Sequence, residues 1–118
     1  MKMAKSPDIG LGHTLLKRAA ISPLERAITF EGHTQTYVQL ALRVRKISAV
    51  LKDMGVNKGD RVGYIGLNHP SFLEVLYACG CLGAIFVPIN FRLTALEVRF
   101  IANDAGLKVI FCLLYTSP

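Results

Sequence analysis

The chain has 118 residues, 52% hydrophobic and 19% charged, with a formal net charge of +6. That length holds one domain at most with a modest core, and the composition excludes a disordered chain. Ten glycines and five prolines are scattered as punctuation, with no low-complexity tract and no internal repeat.

Leu11 to Ala20 reads as a short amphipathic helix with Leu15, Leu16 and Ala19 on one side, closed by Pro23. Ala27 to Phe30 and the residues after Gly32 read as a small hairpin with Glu31-Gly32 as its turn. Thr36 and Gln39 then form a capping box, in which the hydroxyl accepts from a free amide and the glutamine reaches back. Behind it, Tyr37, Leu40, Ala41, Val44, Ile47, Ser48, Leu51 and Met54 follow the three-four spacing of one buried stripe, and Gly55 is the left-handed stop. Lys58-Gly59-Asp60 is a tight turn feeding a strand from Arg61 to Ile65. Pro70 opens a helix that is apolar nearly all round and runs to about Leu82, where Gly83 ends it. Ala84 to Val87 is a continuous apolar run, expected of a strand covered on both faces and ended by Pro88. Thr94 and Glu97 make a second capping box, opening a helix with Val98, Ile101, Ala102 and Ala105 facing in. Gly106 stops that helix, and Lys108 to Phe111 is another buried strand. The alternation predicts an α/β fold with a largely parallel sheet flanked by helices.

The positive charge raises nucleic acid or an anionic membrane as a partner. Arg43, Arg45, Lys46 and Lys52 share one helix and are not interleaved with aromatics, so a solvated face is the reading and no nucleic-acid partner is expected. Cys79, Cys81 and Cys112 are odd in number and two lie in an apolar helix. They read as reduced packing residues of a cytoplasmic protein, and no metal site is expected. The N-terminus has lysines without an apolar core behind them and is not a secretory signal. Ser71 to Ile89 would excite a hydropathy scan, yet it contains Glu74, Gly80, Gly83 and Pro88 and divides into helix plus strand. No transmembrane segment is expected, which leaves peripheral membrane contact open.

Few residues offer chemistry. Gly10-Leu11-Gly12 follows no strand, and Gly63-Tyr64-Ile65-Gly66 lacks the third glycine and downstream acid of a dinucleotide loop, so both read as turns. His13, His33 and His69 stand apart, each near a turn or a helix start, which favours surface or capping roles. Glu74, the one charge on a buried helix, reads as a paired or rim residue because no second carboxylate is near it in sequence. No catalytic, cofactor-binding or metal-binding residue is assigned.

Taken together these segments resemble the adenylate-forming acyl-CoA synthetases, the AMP-binding enzymes. Gln35-Thr36-Tyr37-Val38-Gln39-Leu40 is similar to the family's first core motif. Gly55-Val56 followed by Lys58-Gly59-Asp60-Arg61-Val62 matches its turn into a strand. Asn68, Phe72 and Leu73, then Gly83-Ala84 and Val87-Pro88-Ile89-Asn90, resemble the second core motif; Arg92-Leu93-Thr94, Glu97 and an Asn103-Asp104-Ala105-Gly106 turn complete the pattern. The resemblance implies part of the N-terminal large domain of such an enzyme, with an incomplete sheet. The parent would use ATP, Mg and CoA to turn a carboxylic acid into its CoA thioester, releasing AMP and pyrophosphate. Asn90-Phe91-Arg92-Leu93 looks most like the branch for fatty and related acids. The phosphate loop and catalytic lysine of the family lie downstream of these motifs, so the fragment is expected to be inactive and to bind none of these cofactors.

Leu114-Tyr115-Thr116-Ser117 resembles the opening of that phosphate loop but arrives too soon after Asn90. Cys112 to Pro118 is also what TGT CTC TTA TAC ACA TCT CC encodes, which resembles a transposase mosaic end used in library preparation. The domain reading is therefore 1–111 as the N-terminal part of an AMP-binding synthetase domain and 112–118 as a tail of non-native origin. Two other readings stand beside it: a freestanding α/β module that binds a nucleotide or a protein, and a piece of an aryl-CoA ligase or a peptide-synthetase adenylation domain.

Overall fold

A computed structural model describes residues 11–66 and 69–113. Helix α1 (Leu11–Ile21) leads into an antiparallel hairpin of β1 (Arg26–Phe30) and β2 (His33–Thr36), with Phe30 opposite His33. Glu31 and Gly32 take φ of 48° and 81°. Positive φ at both central residues lets a two-residue turn follow the twist of its strands.

Thr36 caps α2 (Tyr37–Asp53) with both hydrogen bonds of the box: the Gln39 N–H donates to Thr36 Oγ1 at 3.3 Å, and the Thr36 N–H donates to Gln39 Oε1 at 2.9 Å. Leu40, Ala41, Val44 and Leu51 of the stripe are buried, and Tyr37, Ile47 and Ser48 half-buried. Met54 departs from the expectation. It is the C-cap, the chain leaves the helix there, and its side chain is exposed. Gly55 follows at a φ of 89° and is the expected stop.

The remaining elements are β3 (Arg61–Ile65), α3 (Pro70–Leu82), β4 (Ile85–Ile89), α4 (Ala95–Ala105) and β5 (Leu107–Cys112). The three strands form a parallel sheet in the order β4-β3-β5. The core lies between one face of this sheet and the helices: α1 packs on α2 and α3, α2 on α3, and α3 on β3 and β4. Val44, Leu51, Val56, Val62, Val75 and Cys79 are its most enclosed side chains. Each buried aliphatic side chain there contributes about 1.5–3 kcal/mol relative to leaving it in water.

The other face of the sheet differs from the sequence reading. Neither β4 nor β5 is covered on both faces; both are edge strands, β5 alternates between half-buried and exposed residues, and Ile85 and Ile110 remain exposed. The connection from β3 to β4 and the one from β4 past β3 to β5 run in opposite directions, so crossovers of the usual right hand would set α3 and α4 on opposite faces. Yet α4 packs extensively on no other element and buries no residue: Val98, Ile101, Ala102 and Ala105 are only half-covered, while Leu96 and Phe100 face solvent. Pro88 lies inside β4 rather than ending it, opposite Tyr64, which an edge strand tolerates because one flank needs no N–H donor. Asn103 to Ala105 form the last turn of α4, with only Gly106 outside it, at a φ of 66°.

Gly12 and Gly63, although also read as turn residues of short glycine motifs, lie inside the helix and the strand expected over them. Gly12 is buried in α1, where an added Cβ would come within 2.5 Å of the Cys81 backbone nitrogen on α3. Gly63 is in the middle of β3, where a Cβ would sit 2.7 Å from Leu107 Cδ1 and 3.1 Å from Ile89 Cδ1. The close approach of the α3 backbone requires glycine at 12, whereas at 63 the ends of the Leu107 and Ile89 side chains would have to move aside.

Candidate functional site

The chain reverses direction across the sheet beside β3. It leaves β3 through α3 to β4 on one flank, then returns through α4 to β5 on the other. In open α/β sheets the crevice at the carboxyl ends of strands flanking such a reversal is the usual ligand position. A crevice of about 180 Å³ opens there, walled by Arg43, Tyr64, Ser71, Glu74, Cys112 and Leu113 among others.

Glu74 is placed there by α3 and is only 4% exposed. Its Oε2 accepts from Gln35 Nε2 at 3.0 Å and its Oε1 accepts from Arg43 Nη2 at 3.3 Å. A carboxylate so enclosed persists because it is paired and hydrogen-bonded. This is the paired role read from the sequence, and it ties β2, α2 and α3 at one point. Gln35 commits its amide N–H groups toward Glu74 and leaves Oε1 buried with no partner.

A second line of polar groups runs from Tyr64 on β3 to the start of α3. The Tyr64 hydroxyl meets Ser71 Oγ, and Ser71 Oγ lies 2.9 Å from His69 Nδ1. The Ser71 N–H also donates to Nδ1, at 3.0 Å, so Nδ1 is an unprotonated acceptor and His69 is the N-cap of α3. Donation therefore runs from Tyr64 to Ser71 to His69. The pairing of serine with histidine serves the helix end, since Nδ1 is already engaged by a backbone amide. His13 and His33 are exposed on α1 and β2 and are not brought to this site. Tyr64 also packs with Phe72 and Phe86, with ring centroids 5.0–6.0 Å apart.

A second, apolar cleft of about 220 Å³ lies between the hairpin and the start of α3, lined by Ile28, Phe30, His69, Phe72 and Leu73. Among the cysteines, burial pushes the Cys79 thiol up to about 11. Partial burial raises Cys81 as well, against the opposing pull of Ser48 and Arg45. Cys79 is buried and Cys81 exposed, as opposite sides of one helix require. Among the described residues no three His, Cys, Asp or Glu side chains converge as metal ligands.

Sequence reasoning found Glu74 and the capping position of His69 but not their partners. Gln35 on β2 and Arg43 on α2 are 39 and 31 residues away from Glu74, and only tertiary packing joins them.

The family model for AMP-binding enzymes matches residues 15–117. The chain is 45% identical over 101 residues to a feruloyl-CoA synthase of Amycolatopsis sp, covering 86% of this chain and 21% of that protein. It is 39% identical over 111 residues to the long-chain-fatty-acid–CoA ligase FadD13 of Mycobacterium tuberculosis, covering 92% and 21%. A solved Mycobacterium tuberculosis fatty acyl CoA synthetase superposes with a TM-score of 0.84 at 35% identity, over 92% of this chain and 22% of that one. The fold is thus that of part of the N-terminal domain of adenylate-forming enzymes. This chain belongs to the AMP-binding enzyme family, and it spans about a fifth of the length of the relatives it matches.

The family's nucleotide does not fit the residues described. A polyphosphate needs free N–H groups and uncompensated cations. At this crevice the first turn of α3 is capped by His69, Arg43 is engaged by Glu74, and the buried charge is a carboxylate. The tail with Tyr115, Thr116 and Ser117, the Asn68 of the second core motif and Gly10 lie outside the described residues.

Proposed function

We propose that this chain is the N-terminal scaffold segment of an AMP-forming acid–CoA ligase directed to fatty acids. In the whole enzyme a carboxylate oxygen would attack the α-phosphorus of magnesium-bound ATP and expel pyrophosphate. The CoA thiol would then attack the acyl carbon and expel AMP. The observation that carries this reading is the order and placement of the family motifs. The Gln35–Leu40 segment spans the hairpin–α2 junction, and Lys58–Val62 turns into β3. Gly83 to Asn90 brackets β4, and Arg92 to Glu97 caps α4. FadD13 and the fatty acyl CoA synthetase structure support a fatty-acid substrate. The feruloyl-CoA synthase at 45% identity favours an aryl acid as the second reading.

The segment's own contribution is structural: Glu74 and the Tyr64–Ser71–His69 line hold the start of α3 against the carboxyl end of β3. No described residue acts as a catalytic group in this proposal, and the reacting machinery is assigned to the part of the relatives' length that this chain does not span. Residues 112–118 are proposed to be adapter-encoded, although Cys112 itself pairs as the last residue of β5. Unpaired cysteines fit a reducing compartment, and a cytoplasmic setting is proposed.

The experiment is pyrophosphate release from ATP, Mg and a fatty acid. The purified chain should release none and give no heat on titration with ATP or AMP. The product of the gene read on past codon 111 should release pyrophosphate, and AMP with CoA. Turnover by the 118-residue chain would overturn the scaffold assignment. An extended product that favours ferulate over a fatty acid would overturn the substrate assignment.

A further inference from the structure

The solvent side of α2 carries more apolar surface than a solvated face needs. Leu42 is 53% exposed, Val50 51% and the cap residue Met54 54%. With Val38 and Lys46 they form one ridge at four-residue steps, the row along which helix side chains touch. The loop that carries exposed Leu24 is held against the start of this helix, where the Val38 N–H donates to the Pro23 carbonyl at 3.0 Å. Exposed basic side chains flank the ridge: Arg45, Lys46 and Lys52, against a single acid in the helix, Asp53. Arg43 turns to Glu74, and the nearby Glu25 is matched by Arg18 at 3.6 Å.

We infer that this face of α2 docks on an anionic lipid surface. Leu42, Val50 and Met54 enter the boundary between headgroups and acyl chains, and Arg45, Lys46 and Lys52 meet lipid phosphates. Lys46 lies in the ridge itself, where its aliphatic stem adds apolar contact while the ammonium reaches the headgroups. A second copy of this chain fits less well, since pairing like faces would set these basic residues against their own copies. A polyanion such as RNA would leave Leu42 and Val50 unused. The inference rests on this surface alone and is independent of the reaction proposed above.

Vesicle flotation of the full 118-residue chain tests it, because lipid-bound protein rises while self-associated protein sinks. The chain should float with phosphatidylcholine vesicles containing a third of phosphatidylglycerol and not with phosphatidylcholine alone. Salt should weaken the binding. R45E/K46E should lower the partition at least tenfold, given a surface contribution of about fivefold per basic residue. L42S/V50S should lower it about tenfold by removing inserted apolar area. All four positions are exposed, and circular dichroism would verify that the variants fold. The α4 variant L96S/F100S should float as the parent does. No flotation with anionic vesicles, equal flotation with neutral ones, unchanged flotation of the α2 variants, or an equal loss in the α4 variant would each overturn the inference. So would concentration-dependent dimerisation abolished by L42S/V50S in a chain that does not float.

Discussion

At Glu74 a carboxylate sits where water hardly reaches, held by one neutral donor and one guanidinium that is itself half in solvent. Its presence on an apolar helix was legible in the sequence as a charge that needed a partner. Which partner was not, because pairing across separate helices leaves no local spacing to read. Removing Arg43 should cost more than an exposed ion pair would, since it strands a buried charge. Arg43→Ala should lower stability by about 2 kcal/mol, read from the urea midpoint. The double variant R43A/E74L should lie closer to the parent than R43A alone, because no charge is left behind. A double variant less stable than R43A would show that Glu74 contributes by something other than this pair.

Glu97 gives a pH prediction at the same scale. The Thr94 backbone N–H, donating to its carboxylate, and then the Thr94 side chain hold its pKa below the ordinary glutamate value. A carboxyl lowered on folding contributes stability that is fully present above its unfolded pKa and is lost as pH falls through the folded one. Amide exchange at the start of α4 should therefore quicken as pH is lowered through the carboxylate range, after correction for intrinsic rates. Glu97→Gln, which can still reach back to the Thr94 N–H, should remove that dependence while keeping the cap. An unchanged pH profile in the variant would count against the assignment.

At the scale of elements, local chemistry carried far. Both capping boxes, the left-handed glycines at 55, 83 and 106 and the proline at the first turn of α3 set helix ends through groups a few residues apart. What failed was non-local. Gly12 and Gly63 fall inside a helix and a strand read from the sequence, yet why glycine stands there shows only in the approach of α3 to α1 and of Leu107 and Ile89 to β3. The apolar runs in β4 and β5 could not reveal which face α4 would leave open. Gly63→Ala should be destabilising by about 1 kcal/mol through overpacking, since the ends of the Leu107 and Ile89 side chains can move aside in part. Truncating Leu107 to alanine in the same chain should return part of that loss, as a double-mutant cycle would measure. Additive losses would place the strain elsewhere.

For the whole molecule the deciding feature is a sheet with a core on one face and little on the other. Ile85, Ile110, Leu96 and Phe100 are exposed apolar residues on or near the uncovered side. Contiguous apolar surface and two bare strand edges favour association. Sedimentation should show self-association that rises with concentration, and the variant L96E/F100E should shift it toward monomer. A chain that stays monomeric at high concentration would refute this.

The strand order has a temporal side as well. Of the three parallel strands, β3 leaves the ribosome first yet ends in the middle, and its second neighbour is the last element of the described chain. A nascent chain that has released residues up to Ile89 therefore presents one whole flank of Arg61–Ile65 to its surroundings. The helix 95–105 must be made before that flank is closed, which is the interval in which a chaperone would find this polypeptide.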